Sequence, residues 1–289
     1  MEDYYEQSDG VEDARPELSY QVGVTPSGKE RPRNHCAKIN NLPDGHRPTT
    51  LCPPGADPKW RFFWRVGERP EETDFARLNA PQVVPKGFEE WETIMDFWGA
   101  KMLNALLTVA RMAAVGFGLP AEAITSLMHL GPHLLAPTGS DLGRYGELGT
   151  VLAGFHYDLN LLTIHAKSRF PGLSIWLRDG SRMAVSVPVG YLLVQAGKQL
   201  EFLTGGQVLA GFHEVAVTEA TVDAIQHRRQ RGESLWRVSS TVFGAVASDQ
   251  VLRPIGKFAT GDPEVLERYP PTTAGDQVQE ELRAIALGT

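Results

Sequence analysis

TVLAGFHYDLNLLTIH, residues 150–165, opens the stretch whose reading decides the fold. TVLAGF and LLTIH are short apolar runs divided by a polar turn, and the same grammar continues through GLSIW, RMAVSV, YLLVQ, VLAGFHEVAV and WRVSSTVFGAV. Segments this short, punctuated by Gly, Pro and a hairpin signal at Asp179-Gly180, are strands of an antiparallel sandwich or barrel. One segment breaks the series. Glu219 to Arg231 is polar, Arg-rich and free of Gly and Pro, and reads as a surface helix ended by Gly232.

Upstream the period changes. Ile94, Trp98, Met102, Ala105, Val109 and Met112 recur at three- and four-residue steps, which predicts one long helix from Trp91 to Gly116 with those side chains as its buried stripe. Pro120 opens a shorter helix, Ala121 to Leu130, and a last helix is expected from Gln277 to Ala286. The first seventeen residues hold seven acidic ones, and up to about Arg33 the chain has too little apolar surface to fold alone, so a mobile arm is expected. From His35 to Pro58 the text is loop-like. Its His35, Cys36, His46 and Cys52 lack the paired short spacings of a structural zinc site and read as a loop with incidental thiols.

Composition bounds the function. The chain has 289 residues, 42% apolar and 22% charged, with a net charge of −7, which disfavours a phosphate-backbone partner. Its most apolar stretch, Ala105 to Leu119, is interrupted by Thr108 and Arg111 and is too short for a hydrocarbon core of ~30 Å, so no membrane span is expected. The acidic first twenty residues lack the basic start and apolar run of a signal peptide, and there are only two cysteines; both point to the cytoplasm.

The chemistry gathers at three places. His156 and Asp158 are i and i+2 in an extended segment and share a face. His213 follows 55 residues after Asp158 in a second strand. Two imidazoles and one carboxylate fill one side of an octahedron and leave the rest open, which suits non-haem Fe(II). In WRVSSTVF, Arg237 and Ser239 again share a face, and a guanidinium with a nearby hydroxyl is a carboxylate clamp. Glu214 points away from His213's face and is not counted as a ligand. His165 fits either the pocket or the surface; His129 and His133 read as a helix cap and a loop lining; Arg228, Arg229 and Arg231 read as a solvated helix face.

From HYDLNLLTIH at 156–165, PGLSIW at 171–176, VGYLLVQAGKQLEFLTGGQVLAGFHEV at 189–215 and WRVSS at 236–240, the chain resembles the isopenicillin N synthase-like branch of the Fe(II)/2-oxoglutarate-dependent oxygenases. The resemblance spans roughly Trp60 to Gly256 and implies a mainly β fold with flanking helices around a double-stranded β-helix, or jelly-roll, core. It implies Fe(II) on His156, Asp158 and His213, and 2-oxoglutarate gripped by Arg237 and Ser239. It also implies an enzyme that couples oxidative decarboxylation of 2-oxoglutarate to oxidation of a small organic molecule by O2. A monomer with no nucleic-acid or membrane partner is expected.

Three departures stand beside the resemblance. LLAPTGSD replaces the Tyr-Pro-Pro stretch usual in plant and fungal relatives, with no tyrosine near Leu135 and Ala136. The His213-to-Arg237 interval is 24 residues because 219–231 is inserted, as a lid or as decoration. The family's opening strand and helix have no evident counterpart. The organisation expected is an arm with loops at 1–59, helical support at 60–135, the jelly-roll core at 136–256 and a tail with a helix at 257–289. Two other readings remain open: an isopenicillin N synthase-like oxidase that consumes no 2-oxoglutarate, and a silent jelly-roll binding protein.

Overall fold

Short strands too narrow to bury both faces alone must stack, and here most of them form two antiparallel sheets, with Val251–Leu252 and Thr272–Thr273 as a separate small pair. The computed structural model describes residues 1–285 and 287. In the larger sheet the order is Trp236–Ser239, Thr138–Asp141, Trp60–Val66, His133–Leu135, Thr241–Gly244, Leu162–His165 and Leu193–Ala196, with Gly23–Thr25 also on Trp60–Val66. The smaller sheet runs Val151–His156, His213–Ala216, Leu173–Trp176, Arg182–Ala184. Together they are the jelly-roll core, mainly β with helices outside. The Asp179-Gly180 hairpin forms, pairing Trp176 with Arg182. WRVSSTVFGAV is two strands rather than one: the chain breaks at Ser240, and the halves pair with different neighbours.

Trp60–Val66, inside the stretch expected to be helical support, is instead the centre of the large sheet. WRFFWRV shows no alternation because both faces are covered: Phe62 and Trp64 are fully buried, and Phe63 and Arg65 nearly so. The helix Trp91–Gly116 packs on this sheet, but of the expected stripe only Met102 is fully buried and Ala105 and Val109 partly so. It buries Trp91, Met95, Gly99, Met102, Leu106, Ala110 and Ala114, whereas Ile94 is 56% and Met112 67% exposed. Apolar residues lie on two faces of this helix, and the face with small residues permits the closest approach. A Cβ on Gly99 would stand 2.9 Å from Val66. Trp98 stays at the surface with its indole N–H on Ser240. The second helix is only Thr125–Met128.

Residues 1–33 are not a loose arm. A helix, Glu2–Gln7, buries Tyr4 and Tyr5, and the strand Gly23–Thr25 pairs with Trp60–Val66. The acidic composition hid two aromatic anchors. Cys36 and Cys52 are joined as a disulfide, Cα–Cα 5.5 Å, so the thiols are not incidental. The helix Glu219–Gln230 forms as expected, opened by a Thr218–Thr221 capping box. The last helix is Ala274–Ala284; Ala286 lies outside the described residues.

Candidate active site

His156 ends one strand of the smaller sheet and His213 begins its neighbour, and the two are direct cross-strand partners. Their ring centroids are 4.2 Å apart. Asp158 leaves the first strand and turns back, so that its Oδ1 is 3.9 Å from His156 Nε2 and 3.8 Å from His213 Nε2. These three are the one group of His, Cys, Asp or Glu side chains among the described residues whose donor atoms cluster, all within 4.8 Å. His35, Cys36, His46 and Cys52 do not form such a group.

The tautomers are set locally. His156 Nδ1 lies 2.6 Å from the carbonyl of Gly154 and His213 Nδ1 3.2 Å from that of Gly211. A carbonyl only accepts, so Nδ1–H donates in both rings and each Nε2 keeps its lone pair for the centre. Burial drives His156 well below the ordinary imidazole range, reinforced by His213 beside it. Burial alone would raise Asp158, but His213 and His156 more than offset it and hold the carboxyl below its usual range. Among the described residues, Asp158 Oδ2 is buried without a hydrogen-bond partner. Two imidazoles that turn Nε2 toward the centre and a buried carboxylate make a donor set that fits a divalent cation with open positions.

Two cavities meet at this triad. The larger, about 280 Å³, runs between the sheets and is lined by His156, Asp158 and His213 at one end and by Arg237 and Ser239 from the large sheet. Arg237 faces Ser140 across its strand pair, and Ser239 faces Thr138. Arg237 is 7% exposed, and among the described residues no carboxylate pairs with its guanidinium; Nε donates weakly to the Pro171 carbonyl at 3.4 Å. Burial pushes it down to about 10. An uncompensated buried cation is a standing demand for an anion.

The smaller cavity, about 170 Å³, shares His156 and Asp158 and is walled by Phe63, Leu134 and Phe243 and by the last helix through Val278 and Leu282. Arg33 and Glu281 form an ion pair at 2.7 Å on its lining.

Several lining residues escaped the sequence reading. Lys59 and Arg61 border both cavities. Lys59 Nζ is 2.8 Å from Asp57 and 3.0 Å from Glu30, and Arg61 pairs with the same Glu30. Thr138 and Ser140, in the stretch without the tyrosine, bring hydroxyls to the larger cavity. His165 lines that cavity too, its Nδ1 3.1 Å from Thr241 Oγ1, and burial lowers it to about 4. The one available signal was alternation: Lys59 and Arg61, like Thr138 and Ser140, are i and i+2.

Residues 127–245 match the family model of the 2OG-Fe(II) oxygenase superfamily, a span that holds the triad, Arg237 and Ser239. Solved structures agree in fold. A Caulobacter crescentus protein described as of the 2OG-Fe(II) oxygenase family superposes with a TM-score of 0.67 at 22% identity, over 98% of this chain and 80% of that one. A full-length Neurospora crassa protein in complex with alpha-KG gives 0.71 at 17%, over 98% and 79%. JOX2, in complex with 2OG, Fe and JA, gives 0.65 at 16%, over 98% and 72%. No curated protein sequence matches the chain. The core of this chain is thus similar in sequence to the 2OG-Fe(II) oxygenase superfamily over residues 127–245, and it shares its fold with solved structures of such oxygenases.

Proposed function

We propose that His156, Asp158 and His213 hold the Fe(II), that Arg237 and Ser239 hold the distal carboxylate of 2-oxoglutarate, and that a small organic molecule is oxidised in the smaller cavity. The observation that carries this reading is Arg237: a buried cation without a carboxylate partner, in the same cavity as the triad. Bound at the triad, Fe(II) supplies the centre at which O2 is consumed as 2-oxoglutarate is decarboxylated to succinate and the substrate oxidised. The chain's own part is binding and orientation. The backbone carbonyls of Gly154 and Gly211 fix the imidazoles, and Arg237 with Ser239 fixes the far end of the dicarboxylate. The apolar walls of the smaller cavity exclude water. The isopenicillin N synthase-like branch, supported by the order H-x-D, H, R-x-S in register, is the subgroup we favour.

The test is calorimetric titration of 2-oxoglutarate into the Fe(II)-loaded chain under anaerobic conditions. Arg237→Leu removes a bidentate, desolvated contact worth about 2 to 5 kcal/mol, so affinity drops by orders of magnitude. Ser239→Ala costs about 1 kcal/mol. Equal binding by wild type and Arg237→Leu assigns Arg237 to another carboxylate and favours the oxidase that consumes no 2-oxoglutarate. A monomer in the cytoplasm completes the proposal. Thiol counting on protein taken directly from cells tests the location: free Cys36 and Cys52 support the cytoplasm, whereas the Cys36–Cys52 bond found in the structure, if present in cells, overturns it.

A further inference from the structure

Residues 34–58, a short helix Cys36–Asn40 followed by irregular chain, cross the smaller sheet as a strap that touches all four of its strands. Trp176 Nε1 donates to the His46 carbonyl at 2.6 Å and the Arg182 N–H to His46 Nδ1 at 2.9 Å. The Gly154 N–H donates to Asp57 Oδ1 at 3.0 Å. The remaining contact, to the His213 strand, is the most concentrated. Glu214 is fully buried, and its carboxylate accepts from the Thr49 N–H at 3.0 Å, the Thr50 N–H at 2.7 Å and the Thr50 hydroxyl at 2.6 Å. Arg182 stands 3.7 Å away as its nearest cation. The same Thr50 hydroxyl accepts from the Phe155 N–H at 2.7 Å.

Phe155 precedes His156 and Glu214 follows His213, so a single oxygen ties together the immediate neighbours of both imidazoles. A hydroxyl is suited to this because it accepts from one strand while donating to the other. The link lies where the ladder is weakest. His213 pairs with His156, but the register then slips, Val215 pairing with Ala153, so Glu214 has no cross-strand partner on that side. Thr50 spans the slip, and the Cys36–Cys52 disulfide closes the strap two residues beyond it.

We propose that Thr50 is a positioning residue for the metal site: its hydroxyl sets the spacing of the His156 and His213 strands and thereby of the two imidazoles. The inference rests on the reading of His156, Asp158 and His213 as ligands. Co(II) is the probe, because its visible absorption reports ligand geometry separately from turnover. Thr50→Val keeps the shape and deletes the hydroxyl; Thr50→Ser keeps the hydroxyl. Thr50→Val is expected to bind Co(II) roughly 10- to 100-fold more weakly, with an altered spectrum, while Thr50→Ser behaves as wild type. Should Thr50→Val not fold, Glu214→Gln, which weakens the same clamp, is expected to shift affinity and spectrum in the same direction. Wild-type affinity and spectrum in the folded hydroxyl-less or amide variant overturn the proposal. His213→Ala separates the two failures: if it loses Co(II) while Thr50→Val does not, the ligand reading stands and only the clamp falls, and if it retains Co(II), the ligand reading falls and takes the clamp with it.

Discussion

His213 gives the sharpest test of the triad as ligands, because its removal leaves one imidazole and one carboxylate, which hold a labile divalent ion poorly. His213→Ala is expected to abolish Fe(II) binding in an anaerobic calorimetric titration, and unchanged affinity defeats the assignment. Lys59 shows the opposite economy. Asp57, Glu30 and the ammonium are all buried, and the two carboxylates raise Lys59 against the desolvation that would lower it. Lys59→Met leaves Asp57 without its cation and Glu30 with Arg61 alone. A cost of about 3 to 5 kcal/mol is expected in chemical denaturation. A loss below about 1 kcal/mol means that the carboxylates protonate or rehydrate at little cost.

At the scale of elements, the inserted helix is part of the packing. Ile225 is 4% exposed in a cluster with Leu142, Leu152, Phe170 and Val217, and Gly146 lies against it closely enough that a Cβ there would meet its Cδ1 at 2.8 Å. Ile225→Ala is expected to cost about 2 to 5 kcal/mol, read as a lowered denaturation midpoint; a wild-type midpoint returns the helix to decoration. The strand His133–Leu135 carries a second test. His133 is buried, its Nδ1 accepts from the Ala245 N–H at 3.1 Å, and burial, then Arg65, lowers it to about 3. Between that value and the unfolded value of about 6.5 the unfolded chain binds the extra proton. Stability from this group is therefore present above about pH 6.5 and lost on acidification, by about 1.4 kcal/mol per unit. His133→Asn should flatten the urea-midpoint profile between pH 6 and 4 by about one proton. These cases also mark what could be read in advance. The His156–Asp158 and Arg237–Ser239 pairs, the Asp179-Gly180 hairpin and the inserted helix follow from local spacing, and His213 was legible as a histidine in a separate strand 55 residues on. The stripe of Trp91–Gly116, the strand Trp60–Val66 and the hold on Glu214 depend on what packs against them from distant sequence, which period and propensity do not encode.

Across the whole molecule, the N-terminal helix acts on the cavity floor from outside. Tyr5 is 3% exposed, its hydroxyl donates to the Pro137 carbonyl at 2.8 Å, and its ring lies 5.3 Å from that of Trp236, the residue before Arg237. Gly139, opposite Val238 in the same strand pair, has no Cβ, and one placed there would meet the Tyr5 ring at 2.6 Å. The strands bearing Arg237, Ser239, Thr138 and Ser140 are therefore backed by a residue from the first turns of the chain. Tyr4 joins the same wall, packing on Phe62, Phe88 and Trp91. Tyr5→Ala is expected to destabilise by about 3 to 5 kcal/mol, the cost of emptying an aromatic site. It should also weaken 2-oxoglutarate binding several-fold while leaving Co(II) affinity unchanged, because His156, Asp158 and His213 belong to the other sheet and its outgoing loop. Titration of each ligand at a temperature well below the variant's melting point checks this, and equal losses for metal and 2-oxoglutarate would mean that Tyr5 supports the fold as a whole rather than the floor of the carboxylate cavity.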